Sequence, residues 1–367
     1  MASKQYDIAF ALAKGMVGSV ALELLRRVGT TELFFTLPRT ELAALTGVDS
    51  DIFDPAHRQS LLEQAKTEEA FVDVNNIAAT GIGDRDYPRR MRDCEDAPAI
   101  IYQLGKCDLD SAHTVAIVGT RHATHYGIDF TIRLVNELAE KLDNLVIISG
   151  LAYGIDAAAH KAALDANVPT VGVLAHGLNM IYPADHRGLA AKMVEKDGAL
   201  VTEYTTAARV HRSNFLARNR IVAALSDALV VVESDFKGGA MATARIAQAY
   251  SRDVFALPGR VNDIYSRGTN HLIYNNTATL VRGADDIIAQ LGWKAKAAAK
   301  PQEAKLFPTL SPDQQAVLDF IAANPDATVN DICVGMSLSY ARTSNIIFEL
   351  EMLDVIASLP GGKYAIR

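Results

Sequence analysis

Cysteine is scarce in these 367 residues: Cys94, Cys107 and Cys333 lie far apart and form no CxxC. A zinc ribbon and a disulfide framework are thereby excluded, and a reducing cytoplasm fits. Long apolar runs are missing too, since no stretch approaches the roughly 20 residues of a spanning helix. The opening MASKQYDIAFALAKGMVGSV carries only a short apolar run, below the length of a signal-peptide core, so a soluble, unprocessed chain is expected. Positive charge is in deficit, with 36 Lys and Arg against 43 Asp and Glu. A net −7 argues against a surface that is basic all over and leaves a local basic groove open. What is present, 49% hydrophobic and 22% charged residues with 24 Gly and 12 Pro, belongs to a well-packed chain and excludes disorder. The length exceeds what one core serves, so two or three domains are expected.

Apolar residues at three- and four-residue spacing, such as Ile8, Leu12, Leu22, Leu25, Leu42 and Leu45, predict a small helical domain over residues 1–75. Within it KGMVGSVALELLRRVG reads as a helix–hairpin–helix (SAM-like) unit, whose glycine turn could offer backbone N–H groups to DNA phosphate. The balance of 7 Lys/Arg against 10 Asp/Glu over residues 1–70 favours a purely structural role. Over residues 76–293 the apolar runs VAIVG, VIISG, TVGVLAHG, ALVTEY, ALVVVES, VFALPG and ATLV alternate with helical segments. That alternation predicts an α/β fold, a doubly wound, Rossmann-like parallel sheet covered on both faces. KAKAAAK and its neighbours, residues 294–310, read as a linker. Residues 311–367 read as three helices and a Gly-Gly hairpin, a winged helix–turn–helix. Its seven acidic residues against three basic ones favour a structural or protein-contact role over duplex binding.

Three loops carry the chemistry. In VAIVGTRHATHYG a strand ends at Gly119 and a helix starts near Gly127; Thr120, Thr124 and the helix N-terminus suit an anion, and Arg121 offers a planar fork for phosphate. The pattern is not GxGxxG, and the next strand ends in Ser149 rather than an acid, so dinucleotide binding is disfavoured. SGLAYGIDAAAH repeats the arrangement with Ser149, Gly150 and Gly154, and Tyr153 stands at the loop tip as a stacking face. Asp156 reads as a catalytic carboxylate or a helix cap, of which capping is the ordinary role, and His160 reads as a packed core histidine. KGGAMATA sets Lys237, Gly238 and Gly239 at another helix start. Between the second and third loops, Tyr204 to Ser226 holds Arg209, Arg212, Arg218 and Arg220 without one acid. A solvated basic face is one reading; a phosphate-tracking surface with Phe215 as a stacking platform is the better one. Eight of nine histidines lie between 113 and 271 without HExxH or other metal spacing, and neither a P-loop nor GxSxG occurs, so no metal, cofactor or catalytic residue is expected.

VAIVGTRHATHYG, SGLAYGIDAAAHKAAL, GLNMIYPADHRGLA, FLARNRIVAALSDALVVVES, KGGAMATA and FALPG followed by RGTNHLI together resemble the DNA-processing protein A (DprA/Smf) family over residues 80–291. YPRRMRDCEDAPAIIYQLG resembles that family's lead-in segment. The resemblance implies a non-enzymatic cytoplasmic protein that binds and protects incoming single-stranded DNA. It further implies loading of a RecA-type recombinase during natural transformation, the competent state. It points to Arg121, Arg218, Asn219 and Arg220 at the DNA, and to Lys237 as a charge where Tyr153 replaces a basic residue. It also implies a homodimer through the α/β domain, with NHLIYNNTATLV as the candidate surface. An alternative resemblance is to LOG-type nucleotide phosphoribohydrolases, which act on nucleoside monophosphates. Their PGGxGTxxE glutamate has no counterpart here, because no acid follows Gly239 before Asp253.

Overall fold

The computed structural model describes residues 4–296 and, further on, 310–325, 327–353, 355–359 and 361–366. Of the linker expected at 294–310, residues 297–309 lie outside the described residues, and Lys296 N–H donates to Lys141 O at 2.7 Å. Two compact units result, Met1–Lys296 and Ala297–Arg367.

In the first unit nine strands form one sheet: β1 Ala78–Gly81, β2 Ile100–Gly105, β3 His113–Val118, β4 Leu145–Ser149, β5 Thr170–Val173, β6 Ala199–Thr202, β7 Ala228–Val231, β8 Asp253–Ala256 and β9 Thr279–Leu280. Their order is β1-β2-β6-β5-β4-β3-β7-β8-β9. All seven strands expected from the apolar runs are present and parallel. The lead-in segment adds two more, and these run antiparallel, β1 on β2 and β2 on β6. Burial alternates along each central strand: Ala116, Val118, Val146, Ile148, Leu229 and Val231 enter one core, and Val115, Ile117, Ile147 and Val230 the other. A strand buried on both faces has no polar alternation, which is why its sequence is a continuous apolar run.

The N-terminal helices Gln5–Leu12, Gly18–Val28, Thr31–Thr36, Arg39–Thr46 and Pro55–Val74 share the first of these cores, with Ile8, Phe10, Phe34, Leu42 and Leu61 in the cluster that holds Ile100, Tyr102 and Val171. The turn read as a phosphate site is used internally. Gly18 N–H donates to Ala97 O at 2.6 Å and Ser19 N–H to Glu95 O at 3.1 Å, so the lead-in backbone occupies the place offered to DNA. The second unit has helices Pro312–Ala323, Val329–Met336 and Tyr340–Met352 and a hairpin of Ile356–Leu359 on Lys363–Ile366. Two capping boxes, Ser311 with Gln314 and Thr328 with Asp331, start its first two helices.

His160 is fully buried, as a core histidine should be. The Thr170 hydroxyl donates to Ile147 O at 2.9 Å, so it accepts from His160 Nδ1 at 2.7 Å, and the Nε2 lone pair has no partner. Burial, helped by the charges of His186 and Arg218, pushes the His160 pKa down to about 3 from 6.5. The unfolded chain therefore binds a proton that the native state refuses. The stability due to neutral His160 is complete above pH 6.5 and is lost as pH falls towards 3, by up to ~1.4 kcal/mol per pH unit. In urea unfolding series His160→Gln is expected to show a shallower fall of stability between pH 6 and pH 4 than the wild type; parallel curves would refute the assignment.

Candidate nucleic-acid interface

Strand order reverses at β3, which has β4 on one side and β7 on the other. Ligands of open α/β sheets sit at the carboxyl ends beside such a reversal. The loops that meet there are those after β3, β4 and β7.

After β3, Gly119 and Thr120 are half-buried and Arg121 is exposed. Thr120 N–H donates to Glu233 O at 2.7 Å and its carbonyl accepts from Ile155 N–H at 3.3 Å. Thr124 caps the helix His125–Lys141, accepting from Gly127 N–H. Its own N–H and hydroxyl donate to the Glu233 carboxylate at 2.9 and 2.6 Å. At Thr124 the chain thus supplies its own anion: the Glu233 carboxylate, buried just past β7, fills the helix N-terminus, while Thr120 meets only the Glu233 backbone carbonyl. The local reading of the loop missed this because Glu233 lies 109 positions away.

After β4, Ser149 is a strut, its hydroxyl bonded to Ile117 O at 2.6 Å. Asp156 braces the loop by accepting from Gly150 N–H at 3.1 Å and Ala152 N–H at 3.3 Å. A Cβ on Gly150 would overlap the Arg218 guanidinium, and one on Gly154, at φ +74°, would overlap the Thr120 carbonyl. Burial raises the Asp156 carboxyl above the usual range, and the nearby Arg218 charge is the largest opposing influence. Tyr153 stands exposed, its hydroxyl donating to Asp185 at 2.8 Å and its ring edge-on to His186 at 4.9 Å.

The basic stretch becomes a strap and the helix Arg212–Ala224. Its acid-free character is local only. Arg220 is ion-paired with Glu203, one residue before the stretch. Arg218 is buried against Gly150; burial lowers its pKa, and the charge of Asp156 is the main influence opposing that. Direct phosphate contact by Arg220 therefore conflicts with its ion pair, because its charge is already matched and mostly shielded. Asn219 is half-buried between them. Arg209, Arg212 and Arg121 are exposed, and among the described residues none has a carboxylate partner.

The Arg121 guanidinium instead lies 5.8 Å from the centre of the Phe215 ring, and Tyr182 meets that ring edge-on at 5.5 Å. Tyr182, 47% exposed, is held by its N–H to His176 Nε2 at 3.2 Å. It belongs to GLNMIYPADH, where an aromatic beside a proline at a loop tip was the available signal. After β7, Lys237 is exposed, Gly238 N–H donates to Asp235 O at 2.9 Å, and the helix Gly239–Ala249 begins without a side-chain cap. Arg121, Phe215 and Tyr182 form one cluster, with Tyr153 on the neighbouring loop. No group of His, Cys, Asp and Glu among the described residues could hold a metal ion.

If Glu233 is the built-in anion, Glu233→Ala leaves the Thr124 donors unmet and should cost about 1–2 kcal/mol in urea unfolding. A native midpoint in that variant would show the carboxylate to be dispensable.

A family model for DNA recombination-mediator protein A matches residues 78–292, and one for the DprA winged helix domain matches residues 297–362. A putative DNA processing protein DprA of Mycobacterium tuberculosis is 38% identical over 280 residues, 76% of this chain and 71% of the relative. The X-ray structure of DprA from Streptococcus pneumoniae superimposes with a TM-score of 0.65 at 30% identity, covering 78% of this chain and 97% of that one. A DprA structure from Helicobacter pylori, described for its single-stranded DNA binding mode, gives 0.52 at 33% identity, covering 59% and 95%. With more than half its length matched and its motifs assembled at one end of the sheet, the chain belongs to the DNA recombination-mediator protein A family.

Proposed function

We propose that this chain is a cytoplasmic, non-enzymatic protein that binds single-stranded DNA, protects it and loads a RecA-type recombinase on it during natural transformation. The observation that carries the DNA reading is the cluster of Arg121 on Phe215 with Tyr182 at its edge: one unpaired cation and two aromatic faces at the carboxyl end of a parallel sheet. Unstacked bases use aromatic faces and phosphates use unpaired arginines, whereas duplex DNA hides its base faces. Arg209 and Arg212 extend the cationic rim, and Lys237 is a further exposed charge. Gly150 and Gly154 serve by bringing the loops together, and Arg218 and Arg220 serve by fixing the helix beneath Phe215. The recognition helix of the winged unit favours a protein contact: its exposed Tyr340, Phe348 and Met352 replace the basic residues a groove reader needs, and Arg342 is tied to Asp313.

Oligo-dT titrated at several salt concentrations tests the reading. Arg121→Ala should weaken binding and reduce the slope of log K against log salt by ~0.7, the value of one single-strand phosphate. Phe215→Ala should cost about 1–3 kcal/mol with the slope unchanged. Arg220→Ala should act on stability before affinity. Wild-type affinity in both Arg121→Ala and Phe215→Ala would sink the site, and equal affinity for duplex would sink the single-strand reading.

The homodimer is proposed through the end of the sheet where Tyr274, 85% exposed, and Leu280 stand without apolar cover. Tyr274→Glu is expected to lower the mass seen by light scattering from two chains to one; an unchanged mass would move the interface elsewhere.

A further inference from the structure

Glu68, on the helix Pro55–Val74, is a carboxylate only 5% exposed. It accepts the backbone N–H of Thr206 at 2.8 Å and the Thr206 hydroxyl at 2.5 Å, across 138 positions of sequence. Thr206 lies in the irregular strap, residues 203–211, that joins β6 to the helix Arg212–Ala224. The strap has no regular secondary structure: Tyr204 N–H donates to Thr202 Oγ1 at 3.1 Å and Ala208 N–H to Thr205 O at 3.1 Å. Beyond Thr206 the Arg209 carbonyl accepts from Asn214 Nδ2 at 3.1 Å and the His211 carbonyl from Asn214 N–H at 3.0 Å. On its other side Asn179 Nδ2 reaches Thr206 O at 3.3 Å. A buried carboxylate demands donors, and hydrogen bonds to an ionised acceptor are the strong ones, so the position of Thr206 follows from that of Glu68. Arg209 follows three residues on, Arg212 opens the helix and Phe215 lies on its first turn.

We propose that Glu68 is a positioning residue for DNA: through Thr206 the N-terminal helices hold the strap so that Arg209, Arg212 and Phe215 meet a single strand together. The inference rests on the single-strand reading above and gives the helical segment a part in it that its own acidic surface does not suggest. Glu69, the next residue, provides a contrast. It accepts Lys4 N–H at 2.8 Å and Gln5 N–H at 3.1 Å and so anchors the first helix, away from the strap.

The full chain is titrated with oligo-dT over a salt series, with urea unfolding in parallel. Glu68→Ala and Thr206→Val are each expected to weaken binding about ten-fold and to flatten the salt slope, and the double variant to bind no more weakly than Glu68→Ala alone. Thr206→Ser keeps both donors and should restore wild-type affinity. Glu69→Ala should lower the urea midpoint and leave affinity unchanged. Should Glu68→Ala fail to fold, the pair Thr206→Val and Thr206→Ser decides. Wild-type affinity and slope in Thr206→Val, or additive losses in the double variant, overturn the inference while DNA binding by the wild type stands. A wild type that does not bind oligo-dT overturns the single-strand reading and this inference with it.

Discussion

The arrangement of the interface depends on the contact between Arg218 and Gly150. The guanidinium lies where a side chain at position 150 would be, so the helix Arg212–Ala224 can approach the loop after β4 only because that residue is glycine. Asp156 holds the same loop by accepting from Gly150 and Ala152 N–H, and its charge favours the cationic Arg218. Phe215 sits one turn before Arg218 on the helix thus fixed. Gly154 packs on the Thr120 carbonyl, which brings the loop carrying Arg121 into the same assembly. This close approach leaves no room for a side chain at position 150, and it sets where Phe215 stands relative to the loops.

Most of the architecture was legible in the sequence because apolar runs between glycine-ended loops have one economical fold. The seven parallel strands and the winged unit were read directly. Strands β1 and β2 were not: AATG is short and not apolar, and IIYQLG finds its antiparallel partner in β6 nearly a hundred residues later, with β1 added on its other side. The site was legible as a set of loops and less so as a set of contacts. Arg121 and Phe215 were singled out and do meet. Tyr182 was quoted among family residues without being given a part, because nothing local announces that His176 turns it towards Phe215.

Charges that stand alone along the chain are matched across the fold. Glu233 enters the helix start that Thr124 caps, Glu203 takes Arg220, and Ala97 and Glu95 take the N–H groups of the Gly18 turn. Glu233 and the lead-in carbonyls come from distant elements, whereas Glu203 stands just outside the stretch it closes. Arg121, Arg209, Arg212 and Lys237 stay exposed and unmatched among the described residues, and they define the cationic rim better than the four arginines of the acid-free stretch do.

The edges of the sheet bear on how such a protein behaves when concentrated. One edge is the four-residue β1, with the helix Gln5–Leu12 beside it, and the other is the two-residue β9. Neither offers a run of free backbone long enough to recruit a further strand. Exposed side chains such as Tyr274 and Leu280, not free backbone, are what the β9 end presents, and a side-chain patch that pairs with a copy of itself would be satisfied after one pairing. A backbone ladder would instead present a new edge with every chain added. The short final strand thus favours assemblies that close over fibres that grow.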